Sequence, residues 1–337
     1  MAELVLAAGV PHPPRLVFEM QQAPGKTKGE ALMKQVREQV EKAEPDLIIE
    51  VDSDHFVNFF YNNLPSFCIG MAEEAQGPQE TWCPMPRYTV RGHVPLAKAL
   101  FKYGVNEKFD LAAAHELRLD HSLIVPLHFL NPGMTLPVVP IYTNGFASPL
   151  PLATRCLALG RMLRKFIEAW QGKERIALIA SGCFAMDVGG PLRGWVDNEW
   201  AETISKLMAR GQYPTLARRA TEERINAAGN NSGELLNWIT VAGAVGKTKP
   251  LFLEGDEGNG YAVWKLLGQR RYERLSGQQN SLFNGQRRRF SQAHARRARN
   301  SAERIPAHRR RARRAHFRGG GQALSDGRAY VSPQSLI

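Results

Sequence analysis

Six histidines within residues 1–268 are the side chains best suited to chemistry, and two of them stand out by their position. His12 and His55 each follow a short, strongly apolar run, and His55 directly follows Asp52-Ser53-Asp54. Imidazoles without nearby cysteines suit a zinc site, or a non-haem Fe(II) site built from two histidines and one carboxylate. We expect the carboxylates of Asp52 or Asp54 to orient the His55 ring. A histidine in a loop is more often simply solvated, and His93 and His128 fit that simpler description.

The apolar runs before these histidines predict two buried strands. Residues 4–8 and 47–51 read as strands, and residues 31–44 between them have the periodicity of a helix. A strand–helix–strand unit implies a parallel crossover, and ligands of such sheets bind at the carboxyl ends of the strands. His12 and His55 lie at those ends.

The rest of the first 268 residues continues the alternation. Strands are predicted at residues 111–114, 136–142 and 175–180, with a helix over 152–170. Three terminal helices are predicted at 198–210, 213–228 and 234–244. The fold class that follows is α/β, a sandwich in which a mixed sheet is flanked by helices on both faces.

A carboxylate must complete the proposed metal site, and Glu234 is the best candidate. It follows the polar turn Asn230-Asn231-Ser232-Gly233 and opens an apolar helix. A glutamate at this position also favours the positive end of a helix. Spacing alone does not decide between these two roles, or between zinc and iron.

The charge of the chain is concentrated in its last fifth. Residues 269–337 contain seventeen arginines, no lysine and three acids, a net charge of +14, so residues 1–268 carry −2 of the total of +12. We therefore predict a catalytic domain over 1–268 and a disordered, Arg-rich, low-complexity tail over 269–337. Nucleic-acid binding through this tail is an alternative function, although the charge of the body does not favour nucleic acid as a partner.

Other features indicate a reduced protein outside the membrane. No apolar run approaches the ~20 residues of a membrane-spanning helix, and the N-terminus lacks the basic residues of a signal peptide. The four cysteines are far apart and form no CxxC pair. We expect a cytoplasmic location.

Four motifs occur in an order that resembles a known family. They are Gly9-Val10-Pro11-His12-Pro13-Pro14, Glu50-Val51-Asp52-Ser53-Asp54-His55, Leu119-Asp120-His121-Ser122 followed by Val125-Pro126-Leu127, and Gly233-Glu234-Leu235-Leu236-Asn237-Trp238. Together they resemble the LigB-type (class III) extradiol ring-cleavage dioxygenases, which include the protocatechuate 4,5-dioxygenase β subunit and the gallate dioxygenases. The resemblance covers residues 1–266 and leaves out the Arg-rich tail.

This resemblance implies Fe(II) held by His12, His55 and Glu234, and a catechol-type aromatic acid, similar to protocatechuate or gallate, cleaved with O₂. It implies acid–base catalysis by His121, with His115 as a nearby alternative. Oligomers of the chain, or a small second subunit, are further expectations.

The chain departs from the family at Met186, where the family's usual acid–base histidine is expected. Because methionine cannot transfer a proton, a metal-binding paralogue with weak or no dioxygenase activity is an alternative, as is a zinc hydrolase using the same ligands.

Overall fold

The computed structural model describes residues 1–266, and its centre is a mixed sheet. This sheet has eight strands in the order β6-β3-β7-β2-β8-β1-β10-β9, and β4 and β5 form a separate two-stranded sheet. The strands are β1 (Glu3–Val10), β2 (Leu47–Asp52), β3 (Phe67–Gly70), β4 (Glu74–Gly77), β5 (Tyr88–Arg91), β6 (Ala112–Ala114), β7 (Val138–Thr143), β8 (Arg175–Ser181), β9 (Phe252–Asp256) and β10 (Asn259–Lys265). The predicted α/β class is confirmed.

Helices cover both faces of the sheet. The α-helices are α1 (Pro14–Gln22), α2 (Lys28–Ala43), α3 (Val94–Asn106), α4 (His121–Leu130), α5 (Ala153–Ala169), α6 (Asn198–Ala209), α7 (Tyr213–Arg219), α8 (Glu222–Ala227) and α9 (Leu235–Val245). Short 3-10 helices span Pro132–Met134, Gly190–Leu192 and Ser232–Glu234. One core contains side chains of α2 and α4, and the other contains those of α5, α7 and α9.

The four central strands β7, β2, β8 and β1 run parallel to one another, and β8 lies between β2 and β1. Successive side chains of β8 enter opposite cores: Leu178 packs in one and Ile179 in the other. This double burial explains why these strands read as continuous apolar runs rather than as alternating patterns.

The helix predicted over 213–228 is wrong in one respect, because two helices occupy this range. Thr221 separates α7 from α8, and its hydroxyl accepts a hydrogen bond from the N–H of Arg224. The side chain therefore caps the start of α8, a role that threonine commonly takes.

Helices were expected to end the domain, but β9 and β10 form a hairpin there. β10 pairs antiparallel with β1, and the hairpin turns at Glu257 and Gly258, which both have positive φ values. A two-residue turn with positive φ at both positions matches the twist of a hairpin. The sequence of β9 has Gly255 between two acids and gives little strand signal. β10, by contrast, contains Tyr261, Val263 and Trp264, residue types that are common in strands, so this strand could have been found.

None of the helices in residues 1–266 is long and apolar enough to cross a membrane. The four cysteines are free thiols, and all of them are buried. The predicted tail over 269–337 lies outside the described residues.

Candidate metal centre

The carboxyl ends of the four parallel strands bring together side chains that are distant in sequence. His12 follows β1, His55 follows β2, Phe146 follows β7, and Ser181 ends β8. In open α/β sheets this edge is the usual place for a ligand. These side chains thus meet at the edge of the sheet where the strand pattern predicted that a ligand would bind.

The carboxylate of Glu234 meets the two predicted histidine ligands. Its Oε1 lies 2.9 Å from Nε2 of His12 and 3.3 Å from Nε2 of His55. Glu234 is fully buried at the end of the 3-10 helix before α9, and its Oε2 accepts a hydrogen bond of 2.7 Å from the N–H of Cys183. It makes no side-chain capping bond to α9, so the simpler helix-end role does not describe its contacts.

A hydroxyl group fixes the orientation of His12. Nδ1 of His12 lies 2.7 Å from Oγ of Ser181, and that hydroxyl donates a hydrogen bond of 2.6 Å to the carbonyl oxygen of Ser122. A serine hydroxyl has only one proton. Because that proton goes to Ser122, Nδ1 of His12 must be the donor, and Nε2 presents a lone pair towards Glu234.

The carboxylate that orients His55 is Asp120, so the expectation that Asp52 or Asp54 would do so is wrong. Oδ2 of Asp120 accepts hydrogen bonds from the backbone N–H of His55, at 2.8 Å, and from Nδ1, at 3.2 Å. Asp54 instead accepts backbone N–H groups of the loop that follows His55, and Asp52 lies 2.7 Å from the hydroxyl of Ser122. As with His12, the free Nε2 of His55 faces Glu234.

His121 lies beside His12 and His55, whereas His115 does not. One ligand atom from each of His12, His55 and His121 lies within 4.8 Å of the others. Nδ1 of His121 lies 2.7 Å from Oε1 of Glu80, which leaves Nε2 free. His115 is exposed in the segment after β6.

The electrostatics of the centre favour a cation. Burial opposes ionisation of Glu234 and Asp120, but the adjacent histidines outweigh it and lower the pKa of both carboxyls. Burial alone would lower the pKa of His55, but the hydrogen bond to Asp120 and the negative charge of Asp120 and Glu234 raise it well above its ordinary value. Two buried carboxylates therefore stabilise positive charge at this point.

The donor set also fits a metal ion. Among the described residues no group donates a hydrogen bond to Oε1 of Glu234, although two imidazole nitrogens lie close to it. A buried carboxylate oxygen without a hydrogen-bond donor, facing two nitrogen lone pairs, is expected for a ligand atom of a metal site.

Aromatic side chains flank two of the three imidazoles, those of His55 and His121. The ring of Phe146 lies 4.7 Å from that of His55, and the ring of Trp82 lies 5.1 Å from that of His121. Phe56 continues this wall against Phe146, at 6.0 Å, and Tyr61 lies 4.8 Å beyond Phe56. The arrangement forms an aromatic rim, defined as Phe56, Tyr61, Trp82 and Phe146.

Sequence reasoning missed three residues of this region. Phe146 could have been found, because it follows a predicted strand at the same edge as His12 and His55. Glu80 and Trp82 lie in an irregular segment between β4 and β5, and no local pattern distinguishes them.

Met186 is half-buried beside the segment that leads to Glu234. Its N–H donates to Oγ of Ser232, at 3.2 Å, and its carbonyl oxygen accepts from the N–H of Asn231, at 3.1 Å. This main-chain pairing ties the loop after β8 to the Glu234 segment.

Comparison with known proteins finds relatives that are named as dioxygenases. The chain is 30% identical over 199 residues to a 2,3-dihydroxyphenylpropionate/2,3-dihydroxicinnamic acid 1,2-dioxygenase of Klebsiella pneumoniae (strain 342), which covers 57% of this chain and 59% of that protein. It is 32% identical over 197 residues to the corresponding dioxygenase 1 of Pseudomonas putida, with the same coverage of 57% and 59%. The chain thus matches 59% of the length of these relatives.

The fold is also found in a solved structure. The crystal structure of the uncharacterized protein JW3007 from Escherichia coli K12 matches with a TM-score of 0.52 and 17% identity, over 78% of this chain and 100% of that one. The family model for the catalytic LigB subunit of aromatic ring-opening dioxygenase matches residues 6–257. With the match extending over most of its length, the chain belongs to the LigB family of aromatic ring-opening dioxygenase subunits.

Proposed function

We propose that this protein is an Fe(II)-dependent extradiol dioxygenase that opens the ring of a catechol-type aromatic acid with O₂. The observation that carries the proposal is the approach of two imidazole Nε2 atoms to Oε1 of Glu234, at 2.9 and 3.3 Å, beside a third imidazole. Membership of the LigB family and the names of the relatives support the reaction class.

In this proposal His12, His55 and Glu234 hold the metal. Two neutral imidazoles and one carboxylate occupy one side of a non-haem iron and leave positions open for other ligands. Bound Fe(II) would supply a binding place for both the catechol oxygens and O₂, and a route for electrons between them.

His121 is the group proposed to move the proton of a catechol hydroxyl. Because Glu80 accepts the hydrogen bond from Nδ1, Nε2 of neutral His121 carries a lone pair that can take a proton. Burial lowers the pKa of His121, and the neighbouring His55 and His12 lower it further, although the hydrogen bond to Glu80 opposes this. The imidazole is therefore neutral near pH 7, as a general base must be.

The aromatic rim suits the ring of the substrate. The relatives are named for catechols that carry a three-carbon acid chain, so we propose a substituted catechol acid as the substrate class. Tyr61 and Trp82 are 76% and 55% exposed, and a second copy of the chain or a small subunit is proposed to cover them. The four free thiols are compatible with a cytoplasmic location.

Oxygen uptake by the protein reconstituted anaerobically with Fe(II) tests the proposal. We expect uptake with at least one of catechol, protocatechuate, gallate and 2,3-dihydroxyphenylpropionate, with a yellow ring-fission product. His121→Ala should remove turnover, whereas His115→Ala, which alters an exposed side chain, should retain it. If His115→Ala lost turnover and His121→Ala did not, the proton transfer would belong to His115 and the proposed role of His121 would be wrong. Absence of oxygen uptake with every catechol would refute the dioxygenase.

A zinc hydrolase is the second candidate, because the three clustered histidines are also a donor set that zinc uses. Metal analysis after anaerobic purification separates the two functions. Zinc as the bound metal, with hydrolytic activity and no oxygen uptake after Fe(II) reconstitution, would favour the hydrolase.

A further inference from the structure

The first turn of α4 holds the three imidazoles of the centre. Asp120 orients His55, His121 is itself in this turn, and the carbonyl oxygen of Ser122 accepts the hydroxyl of Ser181 that orients His12. One short segment therefore sets the relative positions of side chains that arise from three different strands and loops.

The carbonyl oxygen of Ser122 is available for this task because of the residue four positions later. In an α-helix a carbonyl oxygen normally accepts the N–H of residue i+4. That residue is Pro126, inside α4, and proline has no N–H. The carbonyl oxygen thus lacks its helical donor, and the Ser181 hydroxyl takes that place at 2.6 Å.

Without this carbonyl oxygen, the Ser181 hydroxyl would lose the acceptor that directs its proton away from His12. Its hydroxyl could rotate and donate to Nδ1, and that arrangement stabilises the tautomer with a proton on Nε2. The Nε2–H tautomer cannot bind a metal through Nε2, because the nitrogen has no lone pair to offer.

We infer that Pro126 and Ser181 are positioning residues that fix His12 in its metal-binding tautomer. The relay consists of Pro126, the Ser122 carbonyl oxygen, the Ser181 hydroxyl and Nδ1 of His12. This inference rests on the metal centre of the proposed function, but it does not depend on which reaction the centre catalyses.

Co(II) binding to the full-length, metal-free protein tests the relay, because the visible absorption of Co(II) reports its coordination directly. Replacement of groups that orient a metal ligand typically weakens metal binding about 10–100-fold. We expect a loss of this size for Ser181→Ala and, independently, for Pro126→Ala, which removes no polar group and gives α4 an additional N–H. Ser181→Thr keeps the hydroxyl and should restore binding.

Ser205→Ala is the matched control, since within residues 1–266 the Ser205 hydroxyl bonds only inside α6, at 2.9 Å to the carbonyl oxygen of Ala201. Thermal unfolding of each metal-free variant checks that the fold is retained. A purely structural role for Pro126 predicts that any loss of Co(II) affinity follows a loss of stability. The relay predicts weaker binding in a protein that unfolds at a temperature close to that of the wild type.

A second measurement observes the relay itself. In the Zn(II)-loaded protein labelled with ¹⁵N-histidine, the Nδ1 proton of His12 should exchange slowly with water in the wild type and faster in Ser181→Ala. Unchanged Co(II) affinity in both Ser181→Ala and Pro126→Ala would overturn the inference. If the wild-type protein binds Co(II) but consumes no O₂ with catechols, the proposed reaction is refuted, whereas the relay is still judged by the Co(II) affinities of the variants. If the wild-type protein binds no Co(II), both the proposed reaction and the relay are refuted.

Discussion

Gly182→Ala is a substitution whose effect on the centre follows from distances. Gly182 has a φ of +144°, and a methyl group there would lie 2.5 Å from Cβ of Glu234 and 3.1 Å from its Oε2. Gly182 cannot easily move away, because its N–H donates to Val10 at 3.0 Å and its carbonyl oxygen accepts from Nε1 of Trp238 at 2.9 Å. The Glu234 side chain must therefore shift.

Two contributions determine the size of the effect on stability. A non-glycine residue in a sparsely populated backbone region costs about 1–3 kcal/mol, and overpacking a dense core costs about 1–3 kcal/mol. The free energy of unfolding should therefore fall by roughly 2–6 kcal/mol. Displacing Glu234, the proposed carboxylate ligand, should also weaken Co(II) binding by at least about 10-fold.

Gly25→Ala is the matched control, because Gly25 has a φ of +73° but a methyl group there would meet no described residue within 4 Å. This variant should lose only about 1–2 kcal/mol and should bind Co(II) as the wild type does. Denaturant unfolding of the metal-free proteins and Co(II) titration measure both quantities. If Gly182→Ala matched Gly25→Ala in stability and in Co(II) affinity, the contact between Gly182 and Glu234 would not hold the carboxylate in place.

Three further predictions concern other parts of the molecule. Asp120→Asn should weaken Co(II) binding by about 10–100-fold, because the amide oxygen can still accept a hydrogen bond from His55 but lacks the negative charge of the carboxylate; unchanged affinity in a Co(II) titration would contradict this. Asp197 caps α6 and pairs with Arg224; burial opposes its ionisation, but these hydrogen bonds lower its pKa below the ordinary 3.8. Asp197→Ala should therefore lower the free energy of unfolding by about 1 kcal/mol at pH 7. This difference from the wild type should disappear as the pH falls below 3.8, because Asp197 then becomes protonated in the wild type. A difference that persists in denaturant unfolding at lower pH would exclude the charged pair as its source. Burial raises the pKa of all four thiols. A chromogenic disulfide reagent should therefore label none of them rapidly in the native protein, and all four after denaturation. Rapid labelling in the native state would show that at least one thiol is accessible.

Much of the fold could be predicted because its signals are local. The apolar run of β8, the periodicity of α2 and the break after it each lie within a few neighbouring residues. The β9–β10 hairpin could not be predicted in this way. Its pairing with β1 joins residues more than two hundred positions apart. Although β10 contains residue types common in strands, no local pattern identifies its neighbour in the sheet.

The same distinction between local and long-range signals applies to the residues of the candidate centre. His12 and His55 could be selected because each directly follows a buried strand, and parallel strands end at a common edge. Glu234 could be named only together with an alternative role at the helix end. The fold brings its Oε1 to 2.9 and 3.3 Å from the two imidazoles, and that proximity depends on the packing of α9 against the sheet.

Local sequence patterns are sufficient to predict the fold class, the order of the main elements and the residue types available for a metal centre. The groups that orient those residues follow from long-range contacts in the folded chain. The partners of His12, His55 and His121 lie 169, 65 and 41 positions away from them, so no local pattern could identify Ser181, Asp120 or Glu80. Each hydrogen bond depends on two backbone segments that the sheet and α4 bring together, and an imidazole tautomer is set by such a partner rather than by the histidine's own neighbours in the chain.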